Sequence, residues 1–274
     1  MAESNAGKPL LARQVAVVTG STQGIGSGIA RKFGEHGASV VVHGIESQRA
    51  GGEATVEAIA AAGGQAFLLT GDLQDEAHCR SLIHAALERF GRLDILVNNA
   101  AVTHRGTIES TSTELWDEIF AVDLRAPFIL CQEAVRAMKE QQSGCIINIG
   151  SSNGYFGLKG LLAYSTAKAG LLVFTKNLAN YLTQYRIRVN QVNPGWVLTE
   201  GERYVKSVVE GRGDGWLADA LKTRPAGRML MPEDIAEAAL FFATRAPVSG
   251  SVLDFEQHPM GAPLDPEDLA ALVR

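Results

Sequence analysis

From Gln14 onward the chain alternates short, almost wholly apolar runs with longer segments in which apolar residues recur at helical spacing. The short runs are Val15-Ala16-Val17-Val18, Ser39-Val40-Val41-Val42, Ala66-Phe67-Leu68-Leu69, Ile95-Leu96-Val97, Ile146-Ile147-Asn148-Ile149 and Arg188-Val189-Asn190-Gln191-Val192. Strands that are apolar throughout, rather than at every second position, belong to a parallel sheet covered by helices on both faces. Between the first two runs, Ile25, Ile29 and Phe33 mark one helix, which Gly37 ends. Further helices are predicted over 48–62, 76–90, 113–139, 163–184 and 232–244, with a last strand at Ser251 to Phe255.

Repeated strand-helix-strand units predict an α/β architecture: a Rossmann-type doubly wound parallel sheet with right-handed crossovers, built as a single domain. Residues 14–256 form that domain, 1–13 a flexible N-terminal segment and 257–274 a C-terminal extension. The stretch 196–231 breaks the rhythm with Gly201, Gly211, Gly213, Gly215 and Gly227, and a long irregular insertion of this kind is expected to be a substrate loop.

Composition narrows the function classes. A chain of 274 residues with 46% apolar and 20% charged residues fits one sizeable core. The net charge of -5 is spread among interspersed acids and bases, without the basic stripe that a phosphate backbone requires, so nucleic acid is not an expected partner. Cys79, Cys131 and Cys145 have neither metal-ligand spacing nor a disulfide framework, and no metal site is expected. The N-terminus lacks a secretory apolar run and no segment reaches about 18 consecutive apolar residues, which predicts a cytoplasmic protein without a membrane span.

Two motifs carry chemistry. Thr19-Gly20-Ser21-Thr22-Gln23-Gly24-Ile25-Gly26 follows the first strand and opens the first helix. Glycines there allow a tight turn and close backbone approach to a pyrophosphate, while the helix N-terminus presents free amides and the positive end of its dipole. Tyr164 and Lys168, four residues apart, share one face of a predicted helix. A free phenol has a pKa of ~10 and is a poor base at neutral pH, and an adjacent ammonium favours its ionised form. Tyr155 and Lys159 repeat the spacing, but Gly154, Gly157 and Gly160 around them disfavour a helix, which assigns that pair to a substrate-side loop.

The TGxxxGxG spacing and the YxxxK pair resemble the short-chain dehydrogenase/reductase family over about Gln14 to Phe255. The resemblance extends to Asp72-Leu73, similar to the family's adenine-contacting pair, and to Asn98-Asn99-Ala100, similar to its NNAG turn with Ala101 in place of glycine. Pro194-Gly195, with Val197 and Thr199, resembles the segment that holds the nicotinamide amide. Ser151, thirteen residues before Tyr164, stands where the family has its catalytic serine. By that resemblance Ser151 hydrogen-bonds the substrate oxygen, Tyr164 exchanges its proton, and Lys168 orients the cofactor ribose and stabilises the phenolate. The family's fourth catalytic position is asparagine in VNL, and here the chain reads Val122-Asp123-Leu124. Asp123 can accept hydrogen bonds or pair with Lys168 but, ionised, cannot donate. The implied cofactor-binding set is Gly20, Ser21, Gln23, Gly24, Ile25, Gly26, Gly44, Ile45, Asp72, Leu73, Asn99, Ala100, Tyr164, Lys168, Pro194, Gly195, Val197 and Thr199.

NAD binding ordinarily uses an acidic residue about 20 residues beyond the glycine loop, and NADP a nearby arginine. The two positions here are Gly44 and Ile45, with Gln23 in the loop. Glu46 is either a displaced hydroxyl ligand or a solvated helix-start residue, and Arg49 is a candidate for a phosphate. The absence of a firm cation favours NAD over NADP. His104, Asn153, Tyr155 and Trp196, with Thr103 and Arg105 nearby, are the substrate-facing candidates, and their polarity favours a sugar, polyol or hydroxy acid. The expected reaction is hydride transfer between nicotinamide and a secondary alcohol or ketone. The alternatives are a non-catalytic cofactor sensor and a lyase or epimerase using bound NAD. The resemblance implies a homotetramer or homodimer.

Overall fold

A computed structural model of the chain describes residues 9–213, 215–244 and 248–258. Seven strands, β1 (Val15–Val18), β2 (Ser39–Gly44), β3 (Gln65–Thr70), β4 (Ile95–Asn98), β5 (Gly144–Ile149), β6 (Ile187–Pro194) and β7 (Val252–Phe255), form one sheet in the order β3-β2-β1-β4-β5-β6-β7. Every neighbouring pair is parallel, with Ala16 opposite both Val40 and Ile95. The chain runs outward from β1 to β3 and then restarts at β4 on the other side. Between β1 and β4 lies the topological switch point at which such sheets bind ligands beyond their strand C-termini.

The helices that cross between strands are α1 (Gly24–Glu35), α2 (Arg49–Ala61), α3 (Glu76–Phe90), α4 (Thr113–Phe120), α5 (Ala126–Gln141) and α6 (Leu162–Leu182), with α9 (Pro232–Thr244) before β7. The unbroken apolar character of the strands is explained by the two cores. Ala16, Val18, Val40, Val42, Ile147 and Ile149 join Ile29, Phe33, Ile235 and Phe242 on one face. Their neighbours Val15, Val17, Val41 and Ile146 join Leu82, Ile83, Leu130 and Leu182 on the other. Alternate residues of a strand point to opposite faces, so covering both faces requires apolar residues at every position. The three cysteines are free and buried, which pushes the thiols of Cys79 and Cys145 up to about 11 and that of Cys131 up to about 12.

Three expectations change. The helix predicted over 113–139 is a rod of α4 and α5 joined by a π-helical turn, Ala121–Arg125, and it extends to Gln141. The insertion 196–231 is not irregular throughout: it contains α7 (Glu200–Tyr204), a second π turn (Val205–Val209) and α8 (Trp216–Lys222). Trp216 and Met229 pack under it beside Leu198, so the insertion has an apolar centre of its own. Packing also begins before Gln14, because Leu11 is fully buried. The expected extension 257–274 lies outside the described residues beyond His258.

Candidate active site

The β1-α1 loop folds around the switch point. Gly20 and Gly24 adopt φ of 60° and 54°, the left-handed region that glycine enters without penalty. A side chain on Gly26 would run into the Gly20 carbonyl and the Asn99 amide. The loop is tied to the turn after β4: Asn99 Nδ2 donates to the carbonyls of Thr19 and Gly20 at 2.9 and 3.0 Å, and Thr19 Oγ1 accepts from the amides of Asn99 and Ala100 at 2.9 and 3.1 Å. No side chain caps α1 at Gln23 and its first turn carries no acid, so its leading amides and dipole are free for an anion.

These elements border a cavity of about 390 Å³. Of the residues assigned to the cofactor by sequence, Gly20, Gln23, Gly24, Ile25, Gly26, Gly44, Ile45, Asp72, Leu73, Asn99, Ala100 and Thr199 line it. A glycine-floored cavity beside an uncapped helix N-terminus fits the pyrophosphate of a dinucleotide. Ser21 is a correction. Its fully buried hydroxyl donates to the Val18 carbonyl at 2.6 Å and accepts from the His43 amide at 3.0 Å, so it braces the loop instead of facing the cavity. Tyr164, Lys168, Pro194, Gly195 and Val197 are not on the cavity wall, and Gly195 N donates to the Phe255 carbonyl at 2.8 Å.

Sequence reasoning missed His43, Gln48, Gln74, Glu118 and Val122, which also line the cavity. The available signal for His43 was a polar residue closing an apolar strand. Its Nδ1 accepts from Gly20 N at 3.3 Å, and burial lowers its pKa to about 4, which keeps the ring neutral. Around the sugar end, a side chain at Gly44 would strike Thr22, whose hydroxyl donates to Gln48 Oε1 at 2.9 Å. Space for the usual acidic side chain is therefore filled. Glu46 is the solvated residue at a helix start: its exposed side chain opens the 3₁₀ turn Glu46–Gln48. Its carboxylate accepts two hydrogen bonds from Arg49, at 2.6 and 2.7 Å, and one from Thr70 at 2.6 Å, and these partners hold its pKa down at about 2. Arg49 is thereby engaged rather than free for a phosphate.

At the C-terminal end of β5, Ser151, Tyr164 and Lys168 converge. Ser151 lies within hydrogen-bonding reach of the phenol, and its Oγ accepts from Asn153 N at 3.1 Å. Lys168, 3% exposed, places Nζ 5.6 Å from the Tyr164 ring centroid and donates to the Ile149 carbonyl at 3.1 Å. Asp123, fully buried in the π turn, brings Oδ2 to 3.5 Å from that ammonium while Oδ1 accepts from Val102 N at 2.7 Å. Burial pushes the Tyr164 phenol above its ordinary value; Lys168 and Ser151 oppose that rise and Asp123 adds to it.

The substrate-facing candidates separate. Asn153 follows Ser151, and His104 is an exposed side chain whose Nδ1 lies 3.8 Å from Glu118. Tyr155 is an exposed side chain near Asp254 of β7 and Asn193 of β6, and burial, followed by Asp254, holds its phenol above the ordinary value. Trp196 is a correction. Its ring stacks on Trp216 at 5.8 Å, its Nε1 donates to Glu202 at 2.7 Å, and Lys206 and Arg224 lie against it, so it anchors the insertion. Arg105 bridges to Glu210 at 2.8 Å, joining the loop after β4 to the insertion.

A family model described as short chain dehydrogenase matches residues 14–209. The chain belongs to the short-chain dehydrogenase family. It is similar to an uncharacterized oxidoreductase of Thermotoga maritima, 37% identical over 89% of this chain and 96% of that protein. It is similar also to a 3-oxoacyl-(acyl-carrier-protein) reductase of Chlamydia pneumoniae, 34% identical over 84% of this chain and 89% of the relative. Among solved structures, a putative NAD(P) dependent gluconate 5-dehydrogenase from Beutenbergia cavernae, with NADP bound at low occupancy, superimposes with a TM-score of 0.81. It is 32% identical and covers 91% of this chain and 98% of its own. This short-chain dehydrogenase is thus an oxidoreductase of the kind that uses NAD or NADP. No described helix is long and apolar enough to cross a membrane.

Proposed function

We propose that this dehydrogenase interconverts a secondary alcohol and a ketone on a small polar substrate, a sugar, polyol or hydroxy acid or its keto form, with Tyr164 carrying the proton. The observation that carries the reading is the convergence of Ser151, Tyr164 and Lys168 beyond β5, next to a glycine-floored cavity at the switch point. A bound nicotinamide supplies or accepts the hydride. Ser151 orients the substrate oxygen by a hydrogen bond, and Tyr164 Oη gives it a proton in reduction or takes one in oxidation. Lys168, fixed by the Ile149 carbonyl, stabilises negative charge on the phenol and presents its ammonium toward the cofactor ribose. The exposed side chain of His104 and the polar Asn153 beside Ser151 support a polar substrate, as does the gluconate-linked name of a structural neighbour.

NAD is the favoured cofactor because Arg49 is engaged by Glu46 and Thr70 and no cation stands at Gly44 or Ile45. On the same reading the protein is cytoplasmic and assembles as a homotetramer or homodimer through α5 and α6, where Phe128, Val173 and Tyr181 are exposed. The test is nicotinamide absorbance against a panel of polyols, sugars, hydroxy acids and their ketones, with both cofactors. Net turnover that Tyr164→Phe removes is expected; wild-type turnover by that variant overturns the proton path. Glu46→Gln, which releases Arg49, is expected to raise NADPH affinity by about tenfold relative to NADH.

A further inference from the structure

Asp123 replaces the neutral asparagine that short-chain dehydrogenases usually carry, and this changes the charge around Tyr164. A buried lysine alone beside a phenol contributes one positive charge, which attracts the phenolate. Here the buried carboxylate lies 3.5 Å from the Lys168 ammonium, and the pair sums to zero. The charged groups facing the phenol are Lys168 from α6 and Asp123 from the π turn. The end of β5 contributes the neutral hydroxyl of Ser151. Asp123 itself faces Lys168 and the Val102 amide.

The ionic form of the pair follows from the hydrogen bonds. Burial raises the Asp123 carboxyl above its ordinary value, against the pull of Lys168 and the Val102 amide. Oδ2 has no hydrogen-bond partner among the described residues and lies 3.5 Å from Nζ, so a proton there would find no acceptor and would crowd an ammonium that already donates to the Ile149 carbonyl.

We propose that Asp123 is a positioning residue that cancels the Lys168 charge beside Tyr164, so that the phenol keeps its proton at neutral pH and the enzyme runs there as a ketone reductase. The inference rests on Tyr164 as the proton carrier proposed above. In this direction the carbonyl carbon receives the hydride that reduced nicotinamide supplies, and the carbonyl oxygen takes the Tyr164 Oη proton as that O–H bond breaks. The phenolate then regains a proton from solvent. Oxidation needs the phenolate first and is therefore confined to alkaline pH.

Tyrosinate absorbance of the cofactor-free protein reads this directly. The titration of Tyr164 is the difference between a protein and its Tyr164→Phe counterpart, measured for wild type and for Asp123→Asn. The wild-type phenol is expected to titrate at or above ~10, and in Asp123→Asn at least about one unit lower, because an opposing charge has been removed. Asp123→Ser removes the same charge and serves if the asparagine variant folds poorly by circular dichroism. On any ketone found in the panel, the variant's reduction rate should begin to fall at lower pH than that of wild type. A wild-type phenol already ionised near neutrality, or an unchanged midpoint in both variants, overturns the role of Asp123. Full turnover by Tyr164→Phe would instead overturn the proton path, whatever the titration shows.

Discussion

The spacing of a tyrosine and a lysine four residues on occurs twice, nine residues apart, and the two regions have opposite fates. Tyr164 and Lys168 lie within α6, whose regular turns stack them on one face and press both against the end of β5. Tyr155 follows the short 3₁₀ turn Ser152–Gly154, and the chain then runs through a loop in which side chains on Gly157 and Gly160 would meet nothing. Its phenol lies near Asp254 and Lys159 is exposed. A motif is therefore a statement about spacing, and only a helix converts that spacing into proximity.

The largest effect that could break the comparison is on Tyr164. Tyr164→Phe should lower kcat by roughly 10²–10⁴ in steady-state assays. Lys168→Met should cost about 10² in kcat for alcohol oxidation, with partial recovery at alkaline pH as the phenol ionises without help. Tyr155→Phe is the sharpening control: turnover within about twofold of wild type, with about 1 kcal/mol of stability lost in urea titration as the interaction with Asp254 disappears. Burial, followed by Asp254, holds the Tyr155 phenol above its ordinary value. Its contribution is therefore complete below the unfolded phenol value of ~10 and is lost only as pH rises past it. The smallest effect belongs to Lys159→Ala, expected to stay within about 0.5 kcal/mol of wild type and to leave turnover unchanged. Loss of activity in either loop variant would end the distinction between the two regions.

The cofactor end shows the same division between spacing and placement. The glycines at 20, 24 and 26 line the cavity, and backbone conformation and the lack of a side chain are local properties that residue type reveals. Ser21 sits among them and faces the other way, because its hydroxyl completes bonds to Val18 and His43 from the neighbouring strand. Gln48 and Glu118 reached the cavity from segments with no recognisable motif, carried there by the packing of α2 and α4. Glu46 and Arg49, ambiguous as single residues, became interpretable once Thr70 of β3 was seen to close their hydrogen-bonded set.

By itself the sequence determined the order of strands and helices, the parallel sheet and the candidate proton carrier. Those depend on short-range periodicity and on the two-sided burial that apolar strands report. Tertiary structure decided the rest. It held Trp196 against Glu202 and Trp216, placed a π turn inside a helix that periodicity read as continuous, and brought Asp123 to the ammonium of Lys168. Each of these depends on which distant groups compete for one polar atom or one charge, and local periodicity carries no record of that competition.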